Sequence, residues 1–106
     1  MQNSEHTISI AEFISQRLGF RSSAEEFFNS IESIPVNKLK VDFKGTKSIS
    51  RSFAHEYLLQ KKESEKQIVD CNVPKNIQKM FYIVNNTTEK HKIERDIQKT
   101  IVLSSN

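Results

Sequence analysis

Glycine and proline are scarce in this chain, two of each, tryptophan is absent, and cysteine occurs once. All-β architectures need many tight turns, so so few glycines and prolines disfavour them. The single Cys71 excludes an intramolecular disulfide and a multi-cysteine zinc site. Set in an apolar run, it reads as a buried structural thiol. No apolar stretch approaches the roughly 20 residues of a membrane span. The opening MQNSEHTISI has no basic region leading into an apolar one, so it does not read as a secretory signal. A cytoplasmic location is the default expectation. With glycines only at 19 and 45, no phosphate-binding glycine loop can be assembled. His6, His55 and His91 lie far apart and lack ligand neighbours at a recognisable spacing, so neither a metal nor a cofactor is expected. There is no internal repeat and no low-complexity linker.

What remains is a soluble, globular composition. At 106 residues the chain makes one domain, 1–106, with a modest core. Hydrophobic residues form 36%, and seven phenylalanines dominate the aromatics. Sixteen basic and thirteen acidic residues give a net charge of +3, spread along the chain. The densest basic run, Lys61–Lys62, is broken at once by Glu63 and reads as a solvated helix end.

The segment SSAEEFFNSIESIP reads as a helix. Ser22 with Glu25, or Ser23 with Glu26, supplies a capping box. Ala24, Phe27, Phe28 and Ile31 recur at helical spacing, and Pro35 ends the pattern. In KLKVDF, Leu39, Val41 and Phe43 alternate with polar residues, which predicts a strand with one buried face. RSFAHEYLLQKKESEK clusters Phe53, Ala54, Tyr57 and Leu58 on one helical face, with Ser50 as N-cap and His55 on the polar side. QIVDCNV, nearly all apolar, predicts a strand covered on both faces. Pro74 opens a further helix carrying Ile77, Met80, Phe81 and Val84. Upstream, HTISI predicts a first strand, and AEFISQRLGF fits a short helix or a second strand equally. Residues 86–106 form a C-terminal extension, read as a weak helix followed by an edge strand at KTIVLSS. The order helix, strand, helix, strand, helix implies an α/β domain with parallel central strands. Right-handed crossovers then place the helices mainly on one face.

Asp42 and Asp70 fall near the carboxyl ends of the central strands, the edge where α/β sheets place their sites. Each reads first as a cap for a neighbouring turn or helix. A small enzyme built on Asp42, Asp70 and Cys71 lacks a convincing base, so no catalytic constellation is assembled.

The stretch VDFKGTKSISRSFAHEYL crowds hydroxyls and one arginine at the junction of strand and helix. Together with LGFRSSAEEFF and IVDCNVPKNIQKMF, it resembles the STAS-like family, small bacterial domains related to anti-sigma-factor antagonists. The likeness covers about residues 8–85. It implies a central mixed sheet of about four to five strands with parallel core strands and helices packed mainly on one face. It also implies a non-enzymatic regulatory module that binds a protein partner, a GHKL-type ATPase or kinase engaged in partner switching. In the antagonists a serine at this helix start is phosphorylated, within Asp-Ser-Ser followed by Gly. Here the frame is Ser50-Arg51-Ser52 followed by Phe53, with Arg51 at the matching position. Ser50, Arg51, Ser52, Gly45 and Ser48 are therefore the candidates for partner binding or phosphorylation. The alternative is a nucleic-acid-associated basic module using Lys38, Lys40, Lys44, Lys47 and Arg51. A steep fall of binding with salt marks that reading.

Overall fold

The computed structural model of the chain describes residues 5–87. Three strands, β1 (Glu5–Ser9), β3 (Lys38–Asp42) and β5 (Gln67–Cys71), pair in the order β1-β3-β5, and both pairings are parallel. Between them run α1 (Ile10–Phe13), β2 (Arg17–Leu18), α2 (Arg21–Glu32), β4 (Ser48–Ile49) and α3 (Arg51–Glu63). A last helix, α4, occupies residues 75–87 and follows Pro74 as expected. The protein is thus α/β with parallel strands. One mixed sheet of four to five strands is not seen among the described residues. The described residues hold a three-stranded sheet and a separate two-stranded ladder, β2 with β4, also parallel. AEFISQRLGF supplies both of its alternatives, α1 and β2. The expected strand at KTIVLSS lies outside the described residues, as does His91.

The sheet register sorts the side chains. On β3, Leu39 and Val41 are fully buried, while Lys38, Lys40 and Asp42 are half-buried on the other face. The partners of Lys40 are Thr7 and Val69, and those of Asp42 are Ser9 and Cys71. Strand alternation puts these on the face opposite the core. Val69 and Cys71 are therefore half-buried instead of covered, which corrects the expectation of a strand buried on both faces. The helices α2 and α3 pack against each other. Their core residues, together with Leu39, Val41 and Ile68, form one cluster on the helical side.

The hub of that cluster is Tyr57. Its ring lies 5.3 Å from Phe28, 5.5 Å from Phe43, 5.6 Å from Phe81, 6.2 Å from Phe53 and 6.4 Å from Phe27. Each such pair adds roughly 0.5–1.5 kcal/mol beyond the burial of its area. Phe81 brings α4 into the same core. Of the expected core, Val41, Phe43, Phe53, Tyr57, Ile68 and Ile77 are buried, and Val69, Met80 and Phe81 are half-buried.

Two helix ends differ from expectation in how they are satisfied. α2 starts at Arg21, and its N-cap Phe20 is extended with no side-chain cap. Neither capping box forms, because Ser22 and Ser23 already lie inside the first turn. The chain is committed earlier, by the bonds that Ser50 N–H and Ser50 Oγ donate to the carbonyls of Leu18 and Gly19, described below. At the other end of α2, Lys66 Nζ donates to the carbonyls of Ile34 (2.6 Å) and Val36 (2.8 Å). These carbonyls belong to the turn just past α2, where that of Ile34 also accepts from Val36 N–H at 2.8 Å, and a cation there lies near the negative end of the helix dipole.

Candidate partner-binding surface

The hydroxyl-rich junction is built by the short ladder. Arg17 pairs with Ser48 and Leu18 with Ile49. Lys47 N–H donates to the Gln16 carbonyl at 2.7 Å and Ser50 N–H to that of Leu18 at 2.8 Å. These bonds set the starts of α2 and α3 side by side. Ser50 is extended (φ −86°, ψ 162°), the conformation an N-cap needs, and its Oγ accepts from Phe53 N–H at 3.0 Å. The same hydroxyl donates to the Gly19 carbonyl at 2.8 Å. Both hydrogen-bonding roles of Ser50 are filled. Arg51 and Ser52, the next two residues, are exposed, and Ser48 is half-buried within the ladder.

Upstream, the chain reverses between Phe43 and Thr46. Thr46 N–H donates to the Phe43 carbonyl at 3.0 Å, and Gly45 has φ +86°. A type II turn requires that left-handed value at its third position, which glycine adopts without strain. Asp42 Oδ1 accepts from Lys44 N–H at 2.9 Å and from Asn72 Nδ2 at 3.1 Å. The Lys44 N–H bond, followed by the Asn72 bond, holds the Asp42 carboxyl below its ordinary value. Asp42 is a turn cap. Thr46 is buried, and its Oγ1 has no hydrogen-bond partner.

Asp70 has a different role from the cap expected of it. It lies under α3, where its Oδ1 accepts from the Tyr57 hydroxyl at 2.5 Å and its Oδ2 from Lys61 Nζ at 2.7 Å. Tyr57 and Lys61, one turn apart on α3, reach the same carboxylate. Burial, then the adjacent Asp70 charge and the bond donated to it, push the Tyr57 hydroxyl well above its ordinary 10.0. Asp70 pairs in register with Val41, and Asp42 with Cys71, so the two carboxylates project to opposite faces of the sheet. Cys71 stands beside Asp42 on the face opposite the core, half-buried where a buried thiol was expected. Asp42, Asp70 and Cys71 do not converge on one site. Among the described residues no group of three histidine, cysteine or acidic side chains is placed to hold a metal ion. No helix among them is long and apolar enough to cross a membrane.

The lysines of the nucleic-acid alternative divide among three places. Lys38 and Lys40 are half-buried on the sheet face opposite the core, Lys44 and Lys47 are exposed in the loop after β3, and Arg51 is exposed at the start of α3. His55 is half-buried on α3.

Sequence reasoning missed two features of this surface. One is Phe20, 74% exposed although it directly precedes α2. The other is Arg21, whose Nε lies 3.8 Å from the largely buried Glu56 carboxylate and links α2 to α3. Glu56 also accepts from Gln60 Nε2 at 2.8 Å. The i, i+4 spacing of Glu56 and Gln60 was the one available sign that this acid had a partner on its own helix. No protein-family model, curated protein or solved structure matches the chain.

Proposed function

We propose that the chain is a non-enzymatic, STAS-like regulatory module that binds a protein partner through the start of α3, the partner being a GHKL-type ATPase or kinase. The supporting observation is that Arg51 and Ser52 are both exposed on the first turn of a helix whose N-terminus is fixed by the doubly bonded Ser50. A preset backbone lowers the ordering cost of association, and an arginine there adds a charge that a partner can read. Ser52 is the hydroxyl open to phosphorylation, since that of Ser50 already caps the helix and bonds Gly19. A phosphate in the first turn is favoured by the helix dipole, and its added charge of roughly −2 changes the surface a partner meets.

The test is recovery of partners from lysate by wild type, Ser50→Ala, Arg51→Glu and Ser52→Asp, with thermal melts in parallel. Arg51→Glu and Ser52→Asp should reduce recovery of one protein while leaving the melting temperature unchanged. Ser50→Ala should lower the melting temperature and leave recovery intact at low temperature. Identical recovery by all four sinks the regulatory role. Recovery of nucleic acid that disappears steeply with salt favours the basic-module alternative.

A further inference from the structure

Strand β5 pairs with β3 alone, so the N–H and C=O groups along its other side have no strand partner among the described residues. An open row of this kind is a template for one more strand. The sheet also grows in one direction. The chain steps from β1 to β3 to β5, each time to the next place in the sheet. Helices α2 and α3, which make those two crossings, pack together on the same side of it. α4 joins that side through Phe81, 5.6 Å from Tyr57 and 5.9 Å from Phe43. Parallel connections are right-handed in nearly every case, so a strand that follows a helix on this face falls beyond β5, on its open side.

The steps themselves are regular. Glu5 lies beside Lys38, 33 residues on, and Lys38 beside Gln67, 29 residues on. A step of the same size from Gln67 lands at residues 96–100, and Lys99 opens the segment KTIVLSS. Thr100, Ile101 and Val102 are β-branched and Leu103 is apolar, which suits a strand. Residues 88–98 lie between α4 and Lys99, and they reach up to roughly 36 Å, about twice the length of a five-residue strand. We infer that residues 99–105 occupy the open edge of β5 as a fourth parallel strand. Ile101 and Leu103 then join Ile68 on the helical side, and Thr100, Val102 and Ser104 join Val69 and Cys71 on the face opposite the core. An edge filled from within is closed to strand addition by another protein. It is separate from the start of α3, so the two surfaces stand or fall independently.

Cys71, the single cysteine, lies on β5 and supplies the probe. Paired strands lie about 4.8 Å apart, within the roughly 4.4–6.8 Å between Cα atoms that a disulfide spans. In the full chain under oxidised glutathione, Ser104→Cys should close a disulfide with Cys71, read as the loss of two hydrogens from the intact monomer mass. Thr100→Cys, four residues earlier and roughly 13 Å further along the strand, should close it at least about tenfold more slowly. Closure in neither variant overturns the proposal, as does faster closure from Thr100→Cys. A covalent dimer in place of the closed monomer also overturns it, and assigns the edge to a second copy of the chain. Hydrogen exchange gives a reading free of cysteine chemistry. In Ile101→Lys the β5 amides that point away from β3 should exchange about tenfold faster than in wild type, with the β3 amides unchanged. Equal exchange of those β5 amides in the two proteins overturns the proposal.

Discussion

Replacing Tyr57 by Phe removes one oxygen from the centre of the core and leaves the ring hub in place. The lost bond is the 2.5 Å donation to Asp70, a hydrogen bond to a charged acceptor, which contributes roughly 1.5–3 kcal/mol. Asp70 keeps Lys61 at 2.7 Å, so the carboxylate is not orphaned and the lower end applies, about 1.5 kcal/mol. In a domain of this size that lowers the melting temperature by about 6–12 °C. The pH dependence provides the sharper check. The folded-state pKa of Tyr57 is raised, so its contribution is fully present below the ordinary 10.0 and is lost as pH rises towards the folded value. At pH 11 the unfolded phenol is mostly ionised while the folded one is not, which costs the wild type about 1.4 kcal/mol. The advantage of wild type over Tyr57→Phe should therefore shrink from about 1.5 kcal/mol at pH 7 to near zero by pH 11. Urea unfolding followed by far-ultraviolet circular dichroism, at steps between pH 7 and 11, measures it, and the difference between the two proteins cancels every other group that titrates there. A constant gap across that range would refute the burial and bonding assigned to this hydroxyl.

Ser50→Ala should destabilise by about 0.5–2 kcal/mol in urea melts, towards the upper end because the bond to Gly19 goes with the cap. Phe53→Ala, at a fully buried position stacked on Tyr57, should cost about 3–5 kcal/mol by the same measurement, and a cost below 1 would contradict its place in the core. Asp42 has a depressed folded pKa, so its contribution is present above its ordinary 3.8 and fades as pH falls further. Asp42→Asn should accordingly lose less stability than wild type between pH 4 and 2, read from thermal melts across that range.

The main elements were legible because burial and periodicity coincide in them. Leu39, Val41 and Phe43 alternate, and Ala24, Phe27, Phe28 and Ile31 recur at helical spacing, so either pattern has one physical solution. Ser50 was legible as a cap because a serine directly before an amphipathic run meets a free N–H there. Ser22 and Ser23 carry the same local signal, yet long-range bonds at Leu18 and Gly19 decide where α2 begins. β2 and β4 are two residues long, below any periodicity, and exist only because the chain brings residues 16–18 beside 47–50. Val69 and Cys71 looked doubly covered because an apolar run does not say whether helices pack on one face of the sheet or on both. The site is legible only as a cluster of hydroxyls. The exposed Phe20 and the Arg21–Glu56 link are products of packing, with no local pattern to announce them.

The strand pairings also bear on how the chain reaches this structure. Glu5 meets Lys38, Arg17 meets Ser48 and Lys38 meets Gln67, separations of 33, 31 and 29 residues. No hairpin joins any two strands among the described residues, so no pairing can form locally and zip. Helices α2 and α3 can appear early, but each ladder must wait for a loop of some thirty residues to close, which favours folding in milliseconds or slower. During that wait the strands are open to association with other chains. The lysines alternating through β3, Lys38 and Lys40, place charge within the segment that every copy would otherwise offer as a central strand.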